Sequence, residues 1–260
     1  MLDKELILFP LVSFIFVIPI VLSYIAIDIG FSSFAAESIE ADAINWILLF
    51  IFYLLSYFVI IFFNSGLIFA AQMRMRGQNP TFLDGIKGAL GRLSQIFVWA
   101  LISATVSIIL RLLERRLGLI GRIVSGLAGM VWSLGTYFVV PVLVAENMSP
   151  ILAIRRSGDL FRRTWGELVI GNFGLGVATF LIMFIWGIIS LFLITSMVSA
   201  YGLSGGILSG SIVGIIFAVI ILAFYAMDGI YKAALYEYAS TGKVPVLFPK
   251  ETVVDSWIKK

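Results

Sequence analysis

The stretch ENMSPILAIRRSGDLFRRTWGE, Glu146 to Glu167, concentrates charge in a chain that is otherwise apolar. Its four guanidinium groups, on Arg155, Arg156, Arg162 and Arg163, belong to a side chain whose forked donors match phosphate oxygens two at a time. Glu146, Asp159 and Glu167 add carboxylates, which could move protons if two of them converged. The sequence contains no His and no Cys. That removes the commonest general base, the commonest metal ligand and all thiolate chemistry. No Gly-rich phosphate loop and no nucleophile–base pair accompanies the arginines. The residue types therefore point to anion recognition rather than to catalysis. No catalytic residue, cofactor or metal site is expected.

Ser149-Pro150 reads as a helix start, with the Ser hydroxyl accepting an orphan N–H and Pro fitting the first turn. At about 100° per residue, Arg155, Arg156, Asp159, Arg162 and Arg163 fall within an arc of roughly 120°. Ile151, Ile154, Leu160, Phe161 and Trp165 occupy the rest of the wheel. Asp159 lies three or four residues from all four arginines and is expected to share its charge among them. The plainer reading is a connector helix lying on a membrane, apolar face down and arginines toward headgroups. The sharper one is a specific phosphate or lipid-headgroup clamp built from Arg155, Arg156, Arg162, Arg163 and Trp165.

The elements that must position such a stripe follow from composition. Of 260 residues, 61% are hydrophobic and 13% charged, where a soluble domain carries roughly 25% charged residues. Lipid is the expected solvent. A membrane-crossing helix needs about 20 apolar residues. Six segments qualify: 6–27, 44–71, 93–110, 123–144, 168–194 and 207–231, with 232–260 as a tail. The expected fold is all-α: a polytopic integral membrane protein with about six transmembrane helices in one domain and amphipathic helices on its cytoplasmic side. The mixed charge of MLDKE and the length of the following run favour a retained span over a cleaved signal.

Orientation follows from Lys and Arg in short loops. The segment 28–43 carries Asp28, Glu37, Glu40 and Asp42 and no basic residue, whereas 72–92 carries Arg74, Arg76, Lys87 and Arg92. With the arginines of 155–163 and the lysines of the tail, this places both termini in the cytoplasm of a cell-membrane protein. RLLERRLGLIGR, Arg111 to Arg122, disagrees, because alternation sends its four arginines outside. Either the loop is exported with Glu114 and lipid phosphates offsetting its charge, or the flanking segments form a re-entrant hairpin.

Three further signals concern packing and polarity. NPTFLDGIKGALGR offers a Thr81-x-x-Asp84 capping box, and aligning Pro80 on Pro150 matches Gly88, Leu90 and Arg92 with Gly158, Leu160 and Arg162, a weak hint of a repeated lead-in helix. Gly206, Gly210, Gly214 and Ala218 form a small-residue stripe suited to close helix approach, within the chain or between copies in a homo-oligomer. Asn64, Asn172, Asp228 and Lys232 are polar residues in or at the ends of spans, where lipid makes them costly. Asp228 and Lys232 form an i,i+4 pair in the plain reading and a proton or cation site in the sharp one. Pro141 is expected to bend the fourth span just before Glu146.

The run from Thr136 to Glu167 resembles a group of prokaryotic six-span membrane proteins of unknown function, more distantly similar to the membrane domain fused to glycerophosphodiester phosphodiesterases. The resemblance rests on Pro141, Glu146, Ala153, Ser157 and Trp165, on the ending Tyr231 to Pro249, and on the start DKELILFPL. It implies the six-span fold and no hydrolase activity, because the acidic and His residues of that catalytic domain are absent. The expected function is a non-enzymatic membrane protein that contacts or organises anionic membrane lipid, self-associating through the Gly stripe. The alternative is a transporter or channel for a small solute or ion, with Asn64, Asn172 and Asp228 near its path. No nucleic-acid partner is expected.

Overall fold

The computed structural model describes residues 4–34 and 39–242, with side chains described outside 31–42 and 165–175. All regular structure among these residues is helical: α1 Lys4–Phe34, α2 Ile39–Met75, α3 Phe82–Leu90, α4 Leu93–Gly135, α5 Val139–Glu146 and α6 Pro150–Thr241. Four helical stretches are long and apolar enough to cross a membrane: Lys4–Gly30, Ala43–Met75, Leu93–Glu146 and Gly176–Thr241. At 1.5 Å per residue α1 alone is about 46 Å long, longer than the hydrocarbon layer of about 30 Å. Several such helices fit a multi-pass membrane protein.

Two of these stretches double back on themselves. Gly118 in α4 has φ 55° and Gly202 in α6 has φ 63°, a region of backbone space open to glycine and strained for other residues. Contacts across each break show the reversal. In α4, Trp99 stacks on Trp132 with ring centroids 5.7 Å apart, and Ser125 Oγ donates to Glu114 Oε1 at 2.7 Å. In α6, a Cβ on Gly206 would stand 2.7 Å from Val198 Cγ2, eight residues back. The expected loops at 111–122 and 195–206 are thus helix on both sides of a single glycine, because no other residue there interrupts the hydrogen-bond ladder. The four arginines of 111–122 flank the α4 reversal.

α1 and α2 run antiparallel, joined by stacked rings, Phe16 on Phe63 and Tyr24 on Phe52, and the Phe9 ring of α1 meets Phe82 at the start of α3. The first arm of α4 runs antiparallel to α2, with Tyr57 OH and Ser107 Oγ 2.8 Å apart and Arg111 Nη1 donating to Tyr53 OH at 3.0 Å.

Burial is concentrated at the end where α1 begins. There Phe9, Leu67, Ile96, Phe138, Leu143, Leu160 and Leu235 are fully buried, drawn from α1, α2, α4, α5 and both ends of α6. Gly66 and Gly85 let α2 and α3 touch: a Cβ on Gly85 would sit 2.6 Å from Gly66 O and collide with the Phe9 ring. Away from this packed end, the arms carry large apolar side chains into the open, among them Ile120, Val131, Phe192 and Leu203. Unpaired with protein, such surface is what hydrocarbon solvates.

Two boundaries differ from expectation. Helix α6 continues through Lys232 to Thr241, and Ala233, Ala234, Leu235 and Tyr236 are buried. The first ten residues of the expected tail therefore continue the helix, and four of them join the packed end. Residues 243–260 lie outside the described residues. Nor does Pro141 bend a span. Helix α4 stops at Gly135, a turn follows, and Pro141 sits in the first turn of α5, where its missing N–H costs no intrahelical bond.

Candidate functional site

The segment that carries the four arginines begins α6 and breaks from the rest of that helix at Thr164, whose φ of −122° and ψ of 15° are not helical. Pro150 occupies its first turn. Ser149 supplies extended backbone but makes no side-chain cap bond, contrary to the expected hydroxyl cap. One face of the segment, Ala153, Ser157, Leu160 and Thr164, is buried, with spacings of four, three and four residues. Ser157 Oγ accepts the backbone N–H of Phe138 at 3.0 Å, and Thr164 Oγ donates to Leu160 O. This face docks on the protein's own core; of the apolar residues expected opposite the arginines, Leu160 is buried and Ile154 and Phe161 half-buried against that core, whereas Ile151 is exposed. The wheel shows which residues share a face, not what covers that face.

The opposite side exposes Arg155, Asp159, Arg162 and Arg163, together with Ile151 (63% exposed) and Leu152 (52%). Arg156 stands apart: its Nε donates to Glu146 Oε1 at 3.1 Å, and Tyr236 OH donates to the same oxygen at 2.9 Å. Glu146 is thus a clasp joining α5, the start of α6 and its end. The other three arginines have no carboxylate within 4.0 Å among the described residues, and Asp159 does not pair with them. The expected sharing of its charge is absent. Trp165 and Glu167 have side chains outside the described residues.

The lead-in helix α3 behaves differently. Thr81 and Asp84 form the expected capping box, with Thr81 N donating to Asp84 Oδ2 at 2.9 Å and Asp84 N to Thr81 Oγ1 at 3.3 Å. These bonds hold the Asp84 carboxyl below its usual range, the Thr81 backbone N–H first among the causes. The proposed match between α3 and the start of α6 does not extend to packing. Leu90 is exposed where Leu160 is buried, and Gly88 abuts the Phe69 ring where Gly158 faces open space. Different faces dock in the two cases.

Asp228 and Lys232 form the plain i,i+4 ion pair at 2.6 Å, and the Lys232 ammonium lies 5.0 Å from the centroid of the Tyr137 ring. Gly229, on the same turn, packs against Leu67, with Asn64 Oδ1 beside it, so α2 and α6 bring Asn64 next to this pair. Asn172 has its side chain outside the described residues. Of the small-residue stripe, Gly206 meets Val198 across the α6 reversal, while Gly210 and Gly214 face open space. The glycines that do bring helices together, Gly66, Gly85, Gly88 and Gly229, were missed in the sequence because they form no regular stripe. Their signal is pairing between different helices, which only the fold displays. Among the described residues no three His, Cys, Asp or Glu side chains converge as a metal set.

A family model of unknown function, DUF6159, matches residues 43–246. The chain belongs to this family. The matched region takes in both glycine reversals, the arginine-bearing segment and the Glu146 clasp, and leaves α1 outside. No curated protein and no solved structure matches the chain.

Proposed function

We propose that the protein is a non-enzymatic, six-span membrane protein that binds anionic lipid headgroups at its packed end. Six passes follow from counting the Gly118 and Gly202 reversals as turns between spans, and the weight of Arg and Lys places the packed end and both termini in the cytoplasm. The observation that carries the reading is the docked start of α6. Its inner face is fixed to the core, so Arg155, Arg162 and Arg163 are held outward beside Ile151 and Leu152, a pairing of cation and apolar surface that suits the boundary between headgroup and acyl chain. Glu146, Asp228 and Glu237 are each paired with a cation, Arg156, Lys232 and Arg76. The open Gly210 and Gly214 leave a surface for self-association with a second copy.

Each basic residue near an anionic surface contributes about 1 kcal/mol. Replacing Arg155, Arg162 and Arg163 with Gln should therefore lower the preference of the full chain for phosphatidylglycerol over phosphatidylcholine by at least tenfold, read by native mass spectrometry from detergent. An unchanged preference in a folded triple variant overturns the reading.

A transporter is the second reading, favoured by one observation. Ser65 Oγ and Gln72 Nε2 on α2 are buried without a hydrogen-bond partner among the described residues, on the helix that also carries Asn64. Such groups are costly unless a solute or ion visits them. Ion flux in proteoliposomes under an imposed potassium diffusion potential, lost on Gln72→Leu, would support it; flux no greater than in protein-free vesicles would rule it out.

A further inference from the structure

A cleft of about 440 Å³ lies between the last turns of α2, the outer side of α3 and the elbow that leads into α4. Phe69 and Met73 line it from α2. Gly88 lets the Phe69 ring lie on the backbone of α3, since a Cβ there would stand 2.4 Å from the ring. Three charged side chains complete the lining: Asp84, Lys87 and Arg92. Asp84 is already engaged. Its Oδ2 accepts from Thr81 N at 2.9 Å and from Thr81 Oγ1 at 2.7 Å, and the Lys87 charge helps to hold it ionised. Glu5, which also touches α3, accepts from Phe82 N at 2.7 Å at the far end of that helix, about 13 Å along its axis from the elbow. Arg92 is held differently. Its Nη1 donates to Gly91 O at 3.2 Å, while its Nε is buried with no hydrogen-bond partner among the described residues. A buried donor on a charged group is costly to leave without an acceptor.

We infer that this cleft binds a phosphate group, of the kind carried by a phospholipid headgroup or by free phosphate, with Arg92 as the directional donor and Lys87 as a supporting charge. The bond from Nη1 to Gly91 O leaves the Nε edge of the guanidinium, whose parallel N–H groups match two phosphate oxygens. Turning that edge onto an oxyanion in the cleft gives the Nε–H the acceptor it lacks. Lys87 is exposed and partly shared with Asp84, so it adds attraction without geometry. The surroundings suit the level where headgroups meet acyl chains. The membrane-crossing stretch of α2 ends at Met75, just beyond Met73, and Leu83 and Leu90 are exposed on the face of α3 that carries Lys87. The site shares no residue with the arginines of α6, so the failure of one leaves the other untouched.

The test uses the full chain in neutral detergent and two probes. Inorganic phosphate is titrated by isothermal calorimetry, and dioleoyl phosphatidylglycerol is compared with dioleoyl phosphatidylcholine by native mass spectrometry. The lipid arm is run in the Arg155→Gln/Arg162→Gln/Arg163→Gln background, so that the α6 arginines cannot contribute. Arg92→Gln should weaken binding of the recognised probe at least tenfold, and Lys87→Gln by a smaller factor. Arg92→Lys keeps the charge but has no Nε–H, and should recover only part of the loss. Arg116→Gln, outside the lining, should change nothing. An Arg92-dependent preference for phosphatidylglycerol without phosphate binding identifies a lipid headgroup; Arg92-dependent phosphate binding without a lipid preference identifies a soluble phosphate; both together identify a site open to either. The proposal is overturned if neither probe gives an Arg92-dependent signal in variants shown to be folded by thermal unfolding, or if Arg92→Lys binds as tightly as the wild type.

Discussion

The packed end and the arms of this protein are built from similar residues in opposite ways. At the packed end, six helices bury Phe9, Ile96, Phe138 and Leu160 against one another, and glycines bring backbones into contact. In the arms, equally apolar residues such as Phe192 and Leu203 project outward, and a side chain added at Gly210 or Gly214 would meet open space. Composition alone does not separate the two. What differs is the partner: protein in one region, and in the other a surface fit for lipid. Among the described residues, precise packing and the ion pairs of Glu146, Asp228 and Glu237 lie at one end.

That contrast can be broken most sharply with glycine. Gly85→Val would drive a side chain into Gly66 O and the Phe9 ring, and should cost at least about 3 kcal/mol, or prevent folding, since overpacking with backbone in the way has no cheap relief. Gly214→Val, into open space, should change stability by no more than about 0.5 kcal/mol. Denaturant unfolding in detergent compares the two; equal losses would erase the distinction between the regions. Next in size, Leu160→Ala should lose about 2–5 kcal/mol through an unfilled cavity, while Phe192→Ala leaves the unfolding midpoint nearly unmoved.

Smaller effects sharpen the picture of the packed end. Glu146→Gln replaces the acceptor shared by Arg156 and Tyr236, and should cost about 1–3 kcal/mol. A double cycle with Arg156→Gln should show coupling between the two, and strict additivity would count against the clasp. The smallest effect is expected at α3. The Asp84 carboxyl is held below its usual range, so its contribution is present above the unfolded value near 3.8 and is lost as pH falls through the folded value. Hydrogen exchange should show α3 amides losing protection on acidification in the wild type but much less so in Asp84→Asn. A pH profile identical in the two proteins would mean that the box does not hold the helix.

Much of the architecture was legible before any coordinates, for a reason that is particular to lipid. Long apolar runs announce themselves, because every backbone polar group in a bilayer must be satisfied within its own helix. The helical start at Pro150, the Thr81–Asp84 box and the Asp228–Lys232 pair were also local enough to read, their partners lying within a turn. Less legible were the single-glycine reversals, since Gly118 and Gly202 differ from neighbouring glycines only in backbone angle. The extension of α6 past Lys232 was hidden by an ion pair that mimics a span's end.

The arginine segment shows where the division falls. Sequence by itself determined that Arg155, Arg162 and Arg163 share one side of a helix and that an apolar stripe lies opposite, because 3.6 residues per turn is a property of the backbone. Only the tertiary structure decided that Ala153, Ser157 and Leu160 dock on Phe138 and its neighbours, that Arg156 leaves the group to pair with Glu146, and that Arg111 reaches Tyr53 while Arg115 lies over the Trp46 ring. Periodicity orders side chains along one helix. Which helix they face depends on contacts between residues far apart in the chain, such as Glu146 with Tyr236 or Trp46 with Arg115, and no local pattern records them.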